Sequence, residues 1–196
     1  SEHSFKRLVD GARNMNGLPL HIDQTGGLSI GQLAARARRL KRQKNIEVII
    51  IDYIQLLSGS KSKGQGRTQE VTEITVGLKA LAKELDVTII ALSQLSREVE
   101  KRNDKRPQLS DLRESGSIEQ DADIVMFVFR EEYYVSRAEP AASDFEATTK
   151  WEDELARCEG LAEVIISKQR HGPTGTVKMQ FDGQFTQFSD LAREVM

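Results

Sequence analysis

The chain has little sulfur and little histidine, which removes two classes of protein at once. Its single cysteine, Cys158, excludes a disulfide framework, and its three histidines lie too far apart in sequence to indicate a metal cluster. No apolar run approaches the length needed to cross a membrane, and the first residues lack the pattern of a signal peptide. With 196 residues, 38% hydrophobic and 30% charged, the composition is that of one ordinary domain from a reducing compartment.

A further absence concerns phosphate binding. The G-x-x-x-x-G-K-[ST] loop, which cradles nucleotide phosphates, does not occur anywhere in the chain. The stretch NIEVIIIDYIQLLSG at 45–59 nevertheless has the pattern of a buried central strand that ends at an acid, Asp52. In nucleotide-hydrolysing enzymes an acid in this place holds Mg²⁺ on the triphosphate. The alternative is that Asp52 only caps the strand or forms the turn after it.

Charge is unevenly distributed along the chain. The net charge is -2, but residues 131–160 carry nine acids against three basic residues, a net charge of -6, and the remainder carries +4. Basic character therefore lies in the part of the chain that contains the other motifs.

Apolar runs and turn signals alternate along the sequence. Ser29 and Gln32 predict the capping box of a helix whose apolar stripe continues to Leu40, and residues 68–85 have the same helical periodicity. Strands are predicted at 18–22, 46–52, 87–92, 122–129, 161–167, 176–181 and 184–188, the last two flanking an Asp-Gly turn. This order predicts an α/β fold with a mostly parallel sheet, flanked by helices and ending in an antiparallel hairpin.

A polar side chain also follows the strand predicted after the one that bears Asp52. Gln94, in ALSQLSRE, is placed at the carboxyl end of that strand, where α/β sheets bind ligands. An amide there can hydrogen-bond a γ-phosphate or a water and respond to whether the phosphate is present. The plainer interpretation is a glutamine that closes the strand end.

Residues 110–123, SDLRESGSIEQDAD, form a polar segment that contains Gly116. Its backbone N–H groups and Arg113 can bind a phosphate chain, and base stacking is not expected because the segment has no interleaved aromatic residues. The basic stretch before it, at 97–106, is for most of its charges explained as solvated surface.

The stretch SKQRHGPTG at 167–175 places two cations beside a tight turn. Lys168 and Arg170 are two positions apart, so in an extended strand their side chains point the same way. Gly172 and Pro173 then turn the chain toward the final hairpin. Such a pair can stabilise charge on a triphosphate, or it can be a solvated strand end.

In their order and spacing these motifs resemble the replicative DNA helicases of the DnaB family. The resemblance rests on IIIDYIQLL, LKALAKELDVTIIALSQLSREVE, KRPQLSDLRESGSIEQDADIVMFVFREEYY and ISKQRHGPTGTVKMQF. It covers roughly residues 18–190, apart from the acidic segment after Tyr134. It implies a RecA-like P-loop NTPase fold that works as a ring of six and uses ATP to move along single-stranded DNA.

The resemblance also implies that this chain, residues 1–196, is the carboxyl-terminal part of the motor domain. The phosphate-binding loop and the catalytic glutamate are then expected upstream of Ser1, so that the fold is incomplete and the chain alone is inactive. We accordingly expect an exposed apolar face or strand edge.

The resemblance assigns nucleotide roles residue by residue. Asp52 matches the acid that positions Mg²⁺, partly through water, and Gln94 matches the sensor of the γ-phosphate. Lys168 and Arg170 match the KQR-x-GP-x-G pair, an arginine finger and its lysine companion that reach the ATP of the neighbouring subunit.

Two segments match loops that contact DNA in the central channel. One follows the DNA backbone and comprises Arg113, Glu114 and Gly116. The other occupies residues 58–67, where the match is loose, and its basic residues are Lys61, Lys63 and Arg67.

For the whole protein the resemblance implies ATP and Mg²⁺ as cofactors, a homo-hexamer, and primase and a helicase loader as partners. It implies no membrane association and a cytoplasmic, nucleoid-associated place in bacteria. Residues 135–160 depart from the shorter connection of the family, and we expect an acidic surface insertion on the outside of the ring with a short helix around 151–156. Two alternatives stay open: a RecA-type recombinase or other RecA-fold ATPase, and an interaction fragment that catalyses nothing.

Overall fold

The computed structural model describes residues 2–59, 66–141 and 143–191, without the side chains of residues 2, 3 and 113–115. The α-helices in these ranges are α1 Glu2–Asn16, α2 Ile30–Lys44, α3 Arg67–Leu85, α4 Gly116–Asp121, α5 Glu131–Val135 and α6 Phe145–Cys158. The strands are β1 Val48–Ile51, β2 Thr88–Ala91, β3 Ile124–Phe129, β4 Leu161–Gln169, β5 Gly175–Asp182 and β6 Gln187–Asp190. Short 3₁₀ helices occupy Ile54–Leu56, Arg97–Lys101 and Leu109–Ser115.

β1 and β2 form a parallel pair, as the sequence predicts. Val48 lies opposite Thr88 and Ile51 opposite Ala91, and α3 makes the crossover between the strands. The inward residues of both strands pack on Ile74 and Leu78 of α3. Burial on one helix therefore fixes the register in which the two strand ends meet.

The remaining strands form a four-stranded antiparallel sheet in the order β3-β4-β5-β6. The α/β class is confirmed, and so is the final hairpin, although β6 begins only at Gln187 because the turn is longer than two residues. The expectation that the strands at 122–129 and 161–167 extend a mostly parallel sheet is wrong, because β3 and β4 pair antiparallel. β3 is apolar on both faces, a pattern typical of central parallel strands, yet it alternates between exposed and buried residues.

Helix α2 begins as its sequence predicts. The Gln32 N–H donates to Ser29 Oγ at 3.2 Å, and the Ser29 N–H donates to Gln32 Oε1 at 2.9 Å, which together form a capping box. Arg38 donates from Nε and Nη2 to the two carboxylate oxygens of Glu84 on α3, at 2.6 and 2.7 Å. α2 thus lies against α3, on the side of the parallel strands that is covered.

The amino-terminal segment differs from its prediction. Residues 18–22 form no strand, and no described strand pairs with them, so Leu18, Leu20 and Ile22 are between 57% and 73% exposed. Helix α1, which was not predicted, precedes them with Phe5 and Leu8 exposed. None of the described helices is both long enough and apolar enough to cross a bilayer.

Ile118 of α4 joins the two sheets, because it packs against both apolar clusters. One cluster centres on Ile51, Ile54 and Ile74, and the other on Leu112, Val125 and Phe127. The opposite faces are uncovered in the described structure. Their exposed apolar residues are Val48, Ile50, Ile90, Leu92, Ile124, Met126 and Val128. The expected exposed apolar face is therefore present.

Candidate functional site

Asp52 and Gln94 lie at the same edge of the parallel strand pair. Asp52 follows β1 directly, and Gln94 comes three residues after β2. The main chains stay paired beyond the strands, since the Leu92 N–H donates to the Ile51 carbonyl at 2.9 Å and the Ile54 N–H donates to the Leu92 carbonyl at 3.0 Å. Both side chains are exposed, which leaves them accessible to a ligand at the carboxyl end of the strands.

A cleft of about 380 Å³ opens beside Gln94. Arg97, Phe129, Arg130 and Tyr133 also line it, so aromatic faces and cations converge at the edge where the strands end. Its size lies within the range of small-molecule sites, and its position agrees with the rule that α/β sheets bind ligands at this edge.

Asp52 suits a magnesium ion that arrives with a nucleotide. Mg²⁺ in such sites is held by one or two carboxylates, waters and substrate phosphates, and one exposed carboxylate supplies what the protein must provide directly or through water. Within the described ranges, no group of three or more His, Cys, Asp or Glu side chains is arranged to hold a metal by itself. Asp52 can therefore orient Mg²⁺ only in company with phosphate oxygens.

Gln55, which the sequence analysis missed, ties the edge together. It lies in the 3₁₀ helix Ile54–Leu56, and its Nε2 donates to Ser93 Oγ at 2.9 Å while its Oε1 accepts from the Gln94 N–H at 3.3 Å. The available signal was its position three residues after Asp52, on the same turn of chain.

The base of the 58–67 segment is held by a carboxylate. Glu70 accepts from the Gly59 N–H at 3.1 Å and pairs with Arg67, whose Nη2 donates to the Gln55 carbonyl at 2.8 Å. The Gly59 N–H, and then Arg67, hold the pKa of Glu70 below its usual value. Lys61 and Lys63, the other predicted DNA-binding residues here, lie outside the described residues.

The predicted backbone-binding loop begins as the 3₁₀ helix Leu109–Ser115. Leu112 is buried in the core, and Arg113 and Glu114 follow in the last turn, with side chains outside the described part. Gly116 is exposed and begins α4.

Lys168 and Arg170 both contact the junction between α4 and β3. Lys168 Nζ donates to the carbonyls of Glu119 and Gln120, and Arg170 pairs with Asp123 at 3.0 Å between Nη1 and Oδ1. Lys79, and more weakly Arg170, hold the pKa of Asp123 below its usual value. The strand that bears Lys168 is antiparallel to its neighbours rather than the last of a parallel sheet, which corrects the predicted setting of the pair.

The two groups of nucleotide residues are separate in this chain. Asp52 and Gln94 meet at the end of β1 and β2, whereas Lys168 and Arg170 lie at the end of β4. No hydrogen bond or ion pair found in the described ranges links the second group to the first.

The fold and the strand-end arrangement define an ATPase domain of the RecA-like α/β type. The structure matches another solved ATPase domain with a TM-score of 0.69 and 42% identity, over 85% of this chain and 52% of that one. It also matches the structure of a DnaB-like replicative helicase and its interactions with primase, with a TM-score of 0.80 and 37% identity, over 98% of this chain and 42% of that one.

The chain belongs to the DnaB-like helicase C terminal domain family, whose model matches residues 1–190. It is 51% identical over 193 residues to the replicative DNA helicase DnaB of Rickettsia typhi, covering 98% of this chain and 38% of that protein. It is 42% identical over 193 residues to the replicative DNA helicase DnaC of Bacillus subtilis, again covering 98% and 38%. The chain thus spans well under half the length of the curated relatives it matches.

Proposed function

We propose that the protein containing this chain is an ATP-dependent replicative DNA helicase that acts as a ring of six subunits on single-stranded DNA. Membership of the family and the identity to replicative helicases support this. The observation that carries the proposal is the common edge at which β1 and β2 present Asp52 and Gln94. A recombinase shares a sheet of this type, but the matches to helicases extend over almost the whole chain.

At this edge Asp52 orients the Mg²⁺ that accompanies ATP, directly or through water. Mg²⁺ supplies charge neutralisation on the β- and γ-phosphates when it is bound. Gln94 hydrogen-bonds the γ-phosphate or the attacking water with its amide. Because the segment after β2 leads into the Arg97–Lys101 helix and on to Leu109–Ser115, a shift at Gln94 can be transmitted to the DNA loop.

Lys168 and Arg170 act on the ATP of the neighbouring subunit. Arg170 is exposed, and it lies in the turn directly after β4, where it can leave Asp123 for a phosphate. Lys79 remains to pair with Asp123, so the departure does not leave that carboxylate without a cation. Lys168 supports the strand end through the carbonyls of α4.

Single-stranded DNA binds in the channel through two segments. Arg113, Glu114 and Gly116 follow its backbone, and Lys61, Lys63 and Arg67 lie in the second segment. Arg67 is held by Glu70 and by the Gln55 carbonyl, so it positions the segment as well as adding charge.

The remaining assignments follow the family. Primase and a helicase loader are the partners of the whole protein, and a structural relative has been described with its interactions with primase. We place the protein in the bacterial cytoplasm at the nucleoid. The acidic residues 135–160 form an insertion on the outer surface of the ring, built on α6 and tied back by the Trp151 Nε1–H, which donates to the Val135 carbonyl at 2.7 Å.

The test uses the full-length protein. ATP hydrolysis with and without single-stranded DNA, and unwinding of a forked duplex, are measured for the wild type, for Asp52→Ala and for Asp10→Ala, a change at an exposed acid of α1. Asp52→Ala should lower kcat by at least about 10²-fold, since metal positioning is worth several kcal/mol. Asp10→Ala should match the wild type. A wild type without DNA-stimulated hydrolysis, or an Asp52→Ala variant of full activity, contradicts the proposal.

A further inference from the structure

Gln55 joins two segments that are far apart in sequence. Its side-chain amide uses its donor on Ser93 Oγ, at 2.9 Å, and its acceptor on the Gln94 N–H, at 3.3 Å. The same Nε2 lies 3.5 Å from the Gln94 carbonyl. One side chain thus fixes the main chain of the residue that is proposed to face the γ-phosphate.

The main chain of Gln55 continues the connection in the other direction. Its carbonyl accepts from Arg67 Nη2 at 2.8 Å, Arg67 pairs with Glu70, and Glu70 accepts from the Gly59 N–H at 3.1 Å. Gly59 and Arg67 flank residues 60–65, so the same carboxylate holds both ends of that segment. Hydrogen bonds to an ionised carboxylate are stronger than those between neutral groups, so this end of the connection is firm.

We propose that Gln55 is a positioning residue that couples the strand end bearing Gln94 to the flanks of the 60–65 segment, and hence nucleotide state to DNA binding. The inference rests on the proposed function and deepens it. The half-buried Gln55 touches neither the proposed Mg²⁺ ligand nor, by any described contact, DNA. It acts through the Gln94 main chain on one side and through Arg67 on the other.

The chemistry of the amide is what the coupling requires. A glutamine of this reach offers a donor and an acceptor at once, and both are used on consecutive residues, Ser93 and Gln94. Ala at this position removes both bonds. Glu keeps the shape and the acceptor but cannot donate to Ser93, and it places a negative charge beside the Gln94 carbonyl.

The experiment uses the full-length protein and measures two ratios. The first is the ATPase rate with poly-dT over the rate without it, and the second is the Kd for poly-dT with ADP over the Kd with a non-hydrolysable ATP analogue. Gln55→Ala should lower both ratios by at least about fivefold, the lower end of typical coupling between sites, and Gln55→Glu should lower them in the same direction. Gln43→Ala, which removes an exposed glutamine of α2, is the matched control and should keep both ratios.

Stability and coupling are separated by measuring Tm in parallel. Gln55 variants that fold and keep both ratios, with or without a lowered Tm, overturn the inference while the proposed function stands. Ser93→Ala, which deletes only the hydroxyl partner, gives the answer if the Gln55 variants do not fold: lowered ratios support the coupling, and unchanged ratios overturn it. A wild type whose hydrolysis ignores poly-dT overturns the proposed function, and this inference falls with it.

Discussion

Arg102 binds the buried carboxylate of Asp111 with both terminal nitrogens of its guanidinium, at 2.9 Å for each N–O pair. Asp111 is only 4% exposed, and it also accepts from the Gln108 N–H at 2.8 Å. The pair therefore fixes the start of the Leu109–Ser115 helix, which carries Arg113 in its last turn. The basic stretch at 97–106, explained from sequence as solvated surface, thus contains the residue that anchors the proposed DNA loop.

Arg102→Met should destabilise the full-length protein by about 3 kcal/mol, because it leaves the buried Asp111 carboxylate without its cation. Denaturant unfolding measures the change. Lys101→Met is the control, since Lys101 and Glu98 form an exposed ion pair of a kind usually worth less than about 1 kcal/mol. Equal stabilities for the two variants would contradict the anchoring role of Arg102.

Arg113→Ala should weaken binding of single-stranded DNA about equally for all base sequences and flatten its salt dependence, because contacts to the backbone dominate there. Basal ATP hydrolysis should survive better than its stimulation by DNA. Arg39→Ala, which removes an exposed charge from α2, is the matched control for net charge. A loss that depends strongly on base sequence, or unaltered binding, would remove this loop from the DNA site.

Much of the fold could be predicted because local signals and burial agree. The capping box at Ser29, the apolar stripe of α3 and the run of apolar residues up to Asp52 each specify one element, and each element lies where its pattern indicates. The neighbouring ends of β1 and β2 follow from the right-handed crossover through α3.

The rest depends on pairing between distant segments. An all-apolar strand such as β3 has the same pattern whether its neighbours run parallel or antiparallel, so the sequence could not exclude the antiparallel sheet. LPLHI at 18–22 has apolar alternation, but a strand needs a partner and none of the described strands supplies one. Gln55 was missed because its role arises from contacts with residues 93 and 94, which sequence spacing does not reveal.

The uncovered face of β1 and β2 should make this chain associate with itself. Val48, Ile50, Ile90 and Leu92 are between 44% and 65% exposed, and a contiguous apolar patch of this kind favours association. Sedimentation over a range of concentrations should show oligomers that Ile50→Thr reduces while keeping strand propensity. Ile22→Thr, at an exposed residue outside the sheets, should change little. A monodisperse monomer with concentration-independent melting is the opposing result.

Asp23 should titrate unusually low. Its ion pair with Arg36, and then its hydrogen bonds with Thr25, lower the pKa of its carboxyl to about 2. Because the unfolded value is about 3.9, the pair stabilises the folded state above that pH, and the contribution is lost as pH falls toward 2. NMR titration should show the low pKa in the wild type and a value near the unperturbed one in Arg36→Ala. Arg39→Ala should leave it low, and a normal Asp23 pKa in the wild type contradicts the pairing.

Arg170→Ala in the full-length protein should nearly abolish ATP hydrolysis while leaving nucleotide binding by each subunit intact. A guanidinium that reaches a neighbour's γ-phosphate contributes on the order of 10³–10⁵ in rate. The loss should not reflect unfolding, because Arg170 is half exposed and Asp123 keeps Lys79 as its partner. Arg170→Lys should rescue little, since an ammonium lacks the planar fork. Steady-state hydrolysis and nucleotide Kd separate these effects.

Mixed rings decide whether the arginine acts between subunits. Asp52→Ala damages the nucleotide site of its own subunit, whereas Arg170→Ala damages the site of the neighbour, so neither variant alone has a complete site. In a ring assembled from both, an Arg170→Ala subunit keeps Asp52 and can receive an intact Arg170 from an Asp52→Ala neighbour. Complete sites then form at those interfaces, and hydrolysis should reappear in proportion to their number as the mixing ratio is varied. Rings proven to contain both variants, yet as inactive as either parent, would show that Arg170 does not complete the neighbour's site.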